Sequence, residues 1–180
     1  MKRRTDLITA VACLSATAVA AHYVTRPAAP DGRPVWQEAQ WTPAIDNWGT
    51  GKAYVCDNAG CPGGVRMFAR TKVGFCNCYT GVANDDEIDR IGDVDLHGDT
   101  YKPDAPGVVT AVGDLKGRKR VFRIDNRFVG TTHVLSIVVA TDCKAVVATL
   151  VSSAPITPAE EQTAVAVLDD KPFQQWAAAQ

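Results

Sequence analysis

Two long apolar runs dominate the C-terminal half of the chain: HVLSIVVAT over residues 133–141 and AVVATLVS over residues 145–152. Both are rich in β-branched side chains and have the length of strands, and the short polar connection between them predicts a hairpin. Because the apolar residues are nearly continuous rather than alternating, the two arms of this hairpin are predicted to be central strands of a sheet.

Four shorter segments also have strand character. Residues 53–56 are β-prone, and apolar and charged residues alternate from residue 65 towards residue 76 as in a half-buried strand. Residues 108–115 and 118–125 predict a second hairpin that turns at Lys116-Gly117. Together with the central hairpin, these segments predict an antiparallel sheet of about five to six strands.

Two segments begin with signals for a helix. Asn84 precedes three acidic residues, which suit the first turn of a helix, and Gly92 supplies a C-terminal cap. Thr157 and Glu160 have the spacing of a capping box, with a proline at the first helical position, and this helix is expected to reach Leu168. The predicted fold class is therefore α+β: an antiparallel sheet with a short middle helix and a C-terminal helix packed on one face, stapled by disulfides.

Residues 1–24 have the layout of a secretory signal peptide or an N-terminal membrane anchor. Three basic residues precede an apolar run, and Ala18-Val19-Ala20 provides the small residues that signal peptidase recognises. Residues 7–24 are about as long as the shortest membrane-spanning helix. We therefore expect an exported, periplasmic protein that is either released by cleavage or anchored to the inner membrane by residues 7–24. The N-terminal segment is expected to engage the membrane at least during export.

Residues 25–52 are predicted to form an arm rich in proline and tryptophan, followed by a single α+β domain over residues 53–180. The arm holds three of the four tryptophans of the chain, Trp36, Trp41 and Trp48, and its prolines disfavour a long helix. Aromatic rings at this density need a surface to bury against. The arm is expected to staple itself onto its own domain; a face for a partner or a glycan is the alternative.

Charge and motif content argue against several classes of function. The formal net charge is −1, with 19 basic and 20 acidic residues, and removal of the basic N-terminal segment makes the chain more acidic. A protein that binds nucleic acid normally carries a clear basic excess, so no nucleic acid is expected as a partner. The chain lacks the motifs G-x-S-x-G and H-E-x-x-H and a glycine-rich phosphate loop. Neither catalytic residues nor a cofactor are therefore predicted.

Five cysteines after the N-terminal segment are the strongest chemical signal: Cys56, Cys61, Cys76, Cys78 and Cys143. In an oxidising compartment such a cluster favours disulfides over a metal site of four thiolates. Cys56 and Cys61 flank a turn-forming segment and are expected to pair. Cys143 is expected to pair with Cys76 or Cys78, because a bridge within C-x-C would close a strained ring.

An acidic loop and a basic hairpin are weaker candidates for binding. The loop spaces its acids like a calcium-binding loop, but a histidine replaces one ligand and prolines follow, so a solvated loop is expected and no metal is predicted. Its acidic residues are Asp93, Asp95, Asp99 and Asp104. The basic residues of the hairpin are candidates for contact with anions or lipid headgroups, although alternation distributes them over different faces. They are Lys116, Arg118, Lys119, Arg120, Arg123 and Arg127.

These observations predict an exported, periplasmic or membrane-tethered, disulfide-stabilised binding or accessory domain without catalysis. Its expected partner is an envelope protein, which the sequence does not identify, or an anionic surface. The alternative is a thiol–disulfide redox protein or a metal-handling protein that uses the Cys76/Cys78 pair, one of whose thiols is left over after the expected pairing.

Overall fold

The computed structural model of the protein describes residues 32–74, 82–127, 130–141 and 143–180. Within them the chain forms one antiparallel sheet of eight strands and three α-helices. The predicted signal or anchor at residues 1–24 lies outside the described residues, as do Cys76 and Cys78. No helix in the described part of the chain is long and apolar enough to cross a membrane.

The sheet is built mainly from strands that are neighbours in sequence. The strands are β1 (Gln37–Ala39), β2 (Lys52–Cys56), β3 (Val65–Val73), β4 (Tyr101–Pro103), β5 (Val108–Val112), β6 (Leu115–Asn126), β7 (Gly130–Thr141) and β8 (Lys144–Ser152). The helices are α1 (Asp85–Ile91), α2 (Pro158–Asp169) and α3 (Lys171–Ala178), and a 3₁₀ helix spans Val94–His97. The order across the sheet is β1-β2-β3-β8-β7-β6-β4, and β5 pairs with β6 beside β4.

The sheet buries both of its faces. On the first face, alternate residues of the central strands pack with α2 and α3, among them Met67, Ile137 and Leu150. On the second face, Val138 and Val147 pack with α1. The strands β7 and β8 are therefore apolar on both sides. Their central position in the sheet agrees with the prediction from their continuous apolar sequences.

The positions of the helices correct one prediction. We expected the middle helix and the C-terminal helix on one face, whereas α1 and α2 lie on opposite faces. Since β7 and β8 have no polar face, each side of the sheet needs its own cover. Helix α3 begins at Lys171, directly after α2, and buries Phe173 and Ala177 in the first face.

The strand count and one turn also differ from the prediction. Eight strands form where about five to six were expected, because β1 and β4 have three residues each and are too short to show an alternating pattern. The hairpin turns at Gly113-Asp114 and not at Lys116-Gly117. Gly113 has a φ angle of 55°, which glycine adopts without strain, and the earlier turn lengthens β6 to twelve residues.

Both predicted helix starts are confirmed. The Asn84 side chain caps α1 by accepting a hydrogen bond from the backbone N–H of Glu87 at 2.9 Å. Thr157 and Glu160 form the predicted capping box at the start of α2, with a proline in its first turn. These local hydrogen bonds satisfy backbone donors that the first turn of a helix otherwise leaves without partners.

The arm is held on both faces of the sheet. On the first face, Trp36 Nε1 donates a hydrogen bond to Thr163 Oγ1 of α2 at 3.0 Å. On the second face, Trp41 packs edge-on against Phe68, with ring centroids 5.6 Å apart. Residues of the arm also supply β1, which pairs with β2 at one edge of the sheet. The arm therefore wraps around this edge and closes onto the rest of its own chain.

Cys56, at the end of β2, and Cys61, in the following loop, form a buried disulfide, as predicted. Replacement of both by alanine is expected to lower the free energy of unfolding by about 2 to 3 kcal/mol, because the unfolded chain regains the conformational entropy that the bridge removes. The loss is modest for a disulfide because the bridge closes a loop of only a few residues. Urea unfolding of the C56A/C61A variant beside the wild-type protein measures this loss. An unchanged unfolding midpoint would contradict a stabilising role.

Candidate functional site

Cys143, at the tip of the hairpin between β7 and β8, is also disulfide-bonded. Gly74, directly after β3, donates its backbone N–H to the carbonyl oxygen of Cys143 at 2.9 Å. The hairpin tip therefore lies beside the point where the chain continues towards residue 75. The expected partners Cys76 and Cys78 lie outside the described residues, so their pairing and any redox or metal role stay predictions.

The acidic residues of the predicted loop are not gathered around one point. Asp93 is buried and in contact with Arg70 and Lys72, whereas Asp95 and Asp99 are exposed. Over residues 32–74, 82–127, 130–141 and 143–180, no group of three or more His, Cys, Asp or Glu side chains is placed to hold a metal ion. Asp93 instead forms ion pairs with Arg70 and Lys72.

The basic residues of β6 are distributed over both faces of the sheet, and four of them are in ion pairs. The pairs are Arg118–Asp85 at 2.6 Å, Arg120–Asp89 at 2.6 Å, Arg123–Asp104 at 3.3 Å, and Lys119–Glu161. Lys116 and Arg127 are exposed near the two ends of the strand. Because the pairs tie β6 to both layers of helices, they reduce the charge that β6 offers to an anionic surface.

A buried charge cluster, which the sequence analysis missed, lies on the second face. Its members Arg70, Lys72 and Asp93 are buried, and its fourth member, Asp46, is exposed at the rim. Arg70 of β3 is only 1% exposed. Its Nε and Nη2 each donate to the Asp93 carboxylate at 2.7 Å, and its Nη1 and Nη2 donate to Asp46 at 2.6 and 2.8 Å. Lys72 Nζ lies 2.6 Å from Asp93 Oδ1 and donates to the carbonyl oxygen of Ile91 at 2.8 Å.

The members of the buried charge cluster depend on one another. Burial acts to lower the pKa of Arg70, but the hydrogen bonds with Asp93 and Asp46 outweigh this effect and raise the pKa above its ordinary value. The hydrogen bond from Arg70 likewise lowers the pKa of Asp46, against a smaller opposing effect of burial. A buried charge that loses its partner is costly, so removal of one member destabilises the others.

The cluster joins three segments that are far apart in sequence. Asp46 belongs to the arm, Arg70 to β3, and Asp93 to the connection between α1 and the 3₁₀ helix. The ring of Trp48, also in the arm, has its centroid 5.7 Å from Lys72 Nζ. This arrangement fixes the arm and the α1 segment to the second face of the sheet. Its buried groups Arg70, Lys72 and Asp93 bond to one another, and only Asp46 is exposed.

Polar groups beside the cluster are buried without a hydrogen-bond partner among the described residues; they include Trp41 Nε1, His97 Nε2, Ser136 Oγ and Thr149 Oγ1. Ser136 and Thr149 are fully buried and directly opposite each other on β7 and β8. The His97 ring packs on Phe68 with centroids 5.2 Å apart. In the described part of the chain neither hydroxyl has a base as a hydrogen-bond partner, so this layer lacks the geometry of an activated nucleophile.

Three edge strands border the described sheet, and they differ in their protection. β1 has three residues, and its Glu38 is paired with Lys52 of β2. β4 also has three residues and includes Pro103. Short, charged or proline-bearing edges resist pairing with another chain. The edge strand β5 has five residues, VVTAV, without charge or proline, and its Val108 and Val109 are 51% and 77% exposed.

We call β5, Val108–Val112, the free edge, because its outer side pairs with no described strand. In a two-residue hairpin the residues that flank the turn, here Val112 and Leu115, form a hydrogen-bonded pair, and bonded and non-bonded pairs then alternate along the ladder. Val109 and Ala111 therefore direct their N–H and C=O groups away from β6. These are the groups that an added strand would bond.

An end groove lies on the first face, beside the turn that ends the free edge. Its outer part has a volume of about 340 Å³ and is lined by Val112, Gly113, Asp114, Leu115, Asp169 and Gln174. Its inner part is mainly apolar and is lined by Leu115, Lys144, Val146, Gln174, Ala177 and Ala178. The outer volume is at the lower end of the range of ligand-binding clefts. The end groove thus combines an apolar interior with two carboxylates at its outer part.

Comparison of the chain with protein-family models, with curated proteins and with solved structures found no match. The three features described above are therefore interpreted from their own geometry. The buried charge cluster is closed and structural, whereas the free edge and the end groove are accessible to another molecule.

Replacement of Arg70 by methionine is expected to lower the free energy of unfolding by about 3 to 5 kcal/mol, because it leaves Asp93 buried with its charge only partly compensated. The matched control is Lys52→Met, which breaks the partly exposed pair with Glu38 and is expected to cost no more than about 1 kcal/mol. Urea unfolding measures both variants. Equal losses for R70M and K52M would contradict a central role for the cluster.

His97 is expected to make the protein less stable as the pH falls. Burial lowers the pKa of His97 to about 4, from the ordinary value of 6.5. Between these two values the unfolded chain binds a proton that the folded protein does not, so the free energy of unfolding decreases as the pH falls through this window. His97→Gln should flatten this dependence in urea unfolding at a series of pH values. An unchanged slope in H97Q would contradict the assignment.

Proposed function

We propose that the protein is an exported, disulfide-stabilised binding domain without catalysis, and that it binds an extended segment of a partner by strand addition at the free edge. The observation that carries this proposal is the contrast between the edges of the sheet. β1 and β4 have the short length, charge or proline that prevents pairing, while β5 has none of these features.

Strand addition fits the chemistry of the free edge. The outward N–H and C=O groups of Val109 and Ala111 supply main-chain hydrogen bonds, and the exposed side chains of Val108 and Val109 supply apolar contact. An apolar edge without protection favours association with other chains. Because β5 has such an edge and the other two edge strands do not, we assign the binding role to β5. We propose an extended segment of another envelope protein as the partner.

The proposed location rests on the N-terminal sequence and is supported by the cysteines. The Cys56–Cys61 bridge is buried in the core, and Cys143 is also disulfide-bonded. Structural disulfides persist in oxidising compartments such as the bacterial periplasm. The binding domain would therefore act in the periplasm, either free or tethered to the inner membrane by residues 7–24.

Amide exchange measured by NMR tests the strand addition with a defined probe, the peptide acetyl-Val-Thr-Val-Thr-Val-amide. Binding is expected to slow the exchange of the outward amides of Val109 and Ala111, while the amide of Glu38 on the protected edge is unaffected. Ala111→Pro removes one outward N–H and should abolish the effect. The matched variant Ala111→Thr keeps that N–H and should bind like the wild-type protein.

A second experiment uses the unchanged protein, so its result does not depend on the folding of a proline variant. The probe is N-methylated at every residue, which removes its backbone N–H donors on both sides. This modified probe should not protect Val109 and Ala111, whereas a probe methylated at alternate residues keeps one bonding side and should still protect them. Equal protection by the fully methylated and the unmodified probe, or protection at another site, would overturn the proposal.

A further inference from the structure

We infer that the partner segment carries a lysine or arginine whose side chain occupies the end groove. This inference rests on the proposed strand addition at the free edge and assigns a sequence preference to it. The turn Gly113-Asp114 connects the two features, because it ends the free edge and lines the outer part of the groove.

The carboxylate of Asp169 stands directly against this turn. A side chain at residue 113 would overlap Asp169 Oδ1, so glycine there leaves the space that the carboxylate uses. Asp114 follows in the same turn and lines the same outer part of the groove. Two negative charges are thus brought together where a strand added to β5 would pass beyond Val112.

These two carboxylates differ from the acidic residues that bind β6. Asp85, Asp89 and Glu161 each form an ion pair with a basic residue of β6. Within the described residues, neither Asp114 nor Asp169 is in an ion pair with a basic side chain. The outer part of the groove therefore has a negative charge that a cationic group of a partner can complement.

Among the described residues that line the groove, Lys144 is the one basic residue, and its ammonium group already has partners. Lys144 Nζ points to the C-terminal end of α3, where it lies 3.4 Å from the carbonyl oxygen of Ala177 and 3.2 Å from that of Ala178. These contacts draw the ammonium group to the helix end, where partial negative charge accumulates. Lys144 thus belongs to the inner part and leaves the outer carboxylates to another cation.

The shape of the groove suits a long basic side chain. The half-buried Leu115, beside the buried Val112, provides apolar surface for an aliphatic stem, and the carboxylates lie at the outer part for the charged head. Lysine and arginine are the side chains that combine such a stem with such a head. Residues directly opposite in a sheet share a face, so a partner residue placed beside Val112 can direct its side chain to the first face, where the groove lies.

The test compares five probe peptides with the core Val-Thr-Val-Thr-Val. One has no additional residue, two carry lysine at the N-terminal or the C-terminal end, and two carry the uncharged norleucine at the same ends. The two positions cover antiparallel and parallel addition. One lysine peptide is expected to bind about fivefold more tightly than its norleucine counterpart at low salt, and the difference should shrink as ionic strength rises.

The double variant D114N/D169N should remove the lysine preference and leave the affinity for the norleucine peptides unchanged. Asp99→Asn, at an exposed acidic residue outside the groove, is the control and should keep the preference. If the plain peptide protects Val109 and Ala111 but lysine gives no advantage, the sequence preference is overturned and the strand addition stands. If no peptide protects these amides, the strand addition and the preference both fail.

Discussion

The guanidinium group of Arg70 is the contact on which the second face of the sheet depends. One planar cation, almost wholly buried, bonds to a carboxylate of the arm and to a carboxylate that follows α1. A strand, a loop and a helix connection are thereby held in one geometry, because a guanidinium bonds only to oxygens that lie near its plane. The surrounding aromatic rings, Trp41 and Phe68 among them, complete a layer that α1 alone is too short to cover.

The two edges of the sheet differ in how far other parts of the chain cover them. At one end the arm adds β1, crosses the edge and packs on both faces, which leaves little sheet exposed. At the other end β6 is partnered by two separate short strands, and α2 lies near one face of β5. The arm thus covers one edge of the sheet, whereas the edge at β5 stays accessible. The proposed binding follows from this difference between the two edges.

Much of the fold was predictable from local chemistry, and the rest depended on contacts between distant segments. The caps at Asn84 and Thr157 and the Cys56–Cys61 bridge each involve residues that are few positions apart, so their spacing carried the information. The side of the sheet that α1 covers could not be predicted from α1 itself, and the prediction of both helices on one face was wrong. Arg70 was overlooked because alternation assigned it to a half-exposed strand, and its partners come from two other segments. The turn of the second hairpin was misplaced for a related reason: it is set by the backbone of Gly113, and a shift of the turn changes which strand is short.

The wrapped arm has a consequence for the order in which the molecule can be completed. Trp36 is held by Thr163, and the two residues are 127 positions apart. A chain that emerges with its N-terminus first therefore presents the arm early, but the contact of Trp36 with the first face can form only after α2 has emerged. The pairing of β1 with β2 and the contact of Trp41 with Phe68 need only residues up to β3, so they can form earlier. The arm is thus attached in two stages, and its contact with α2 is the later one.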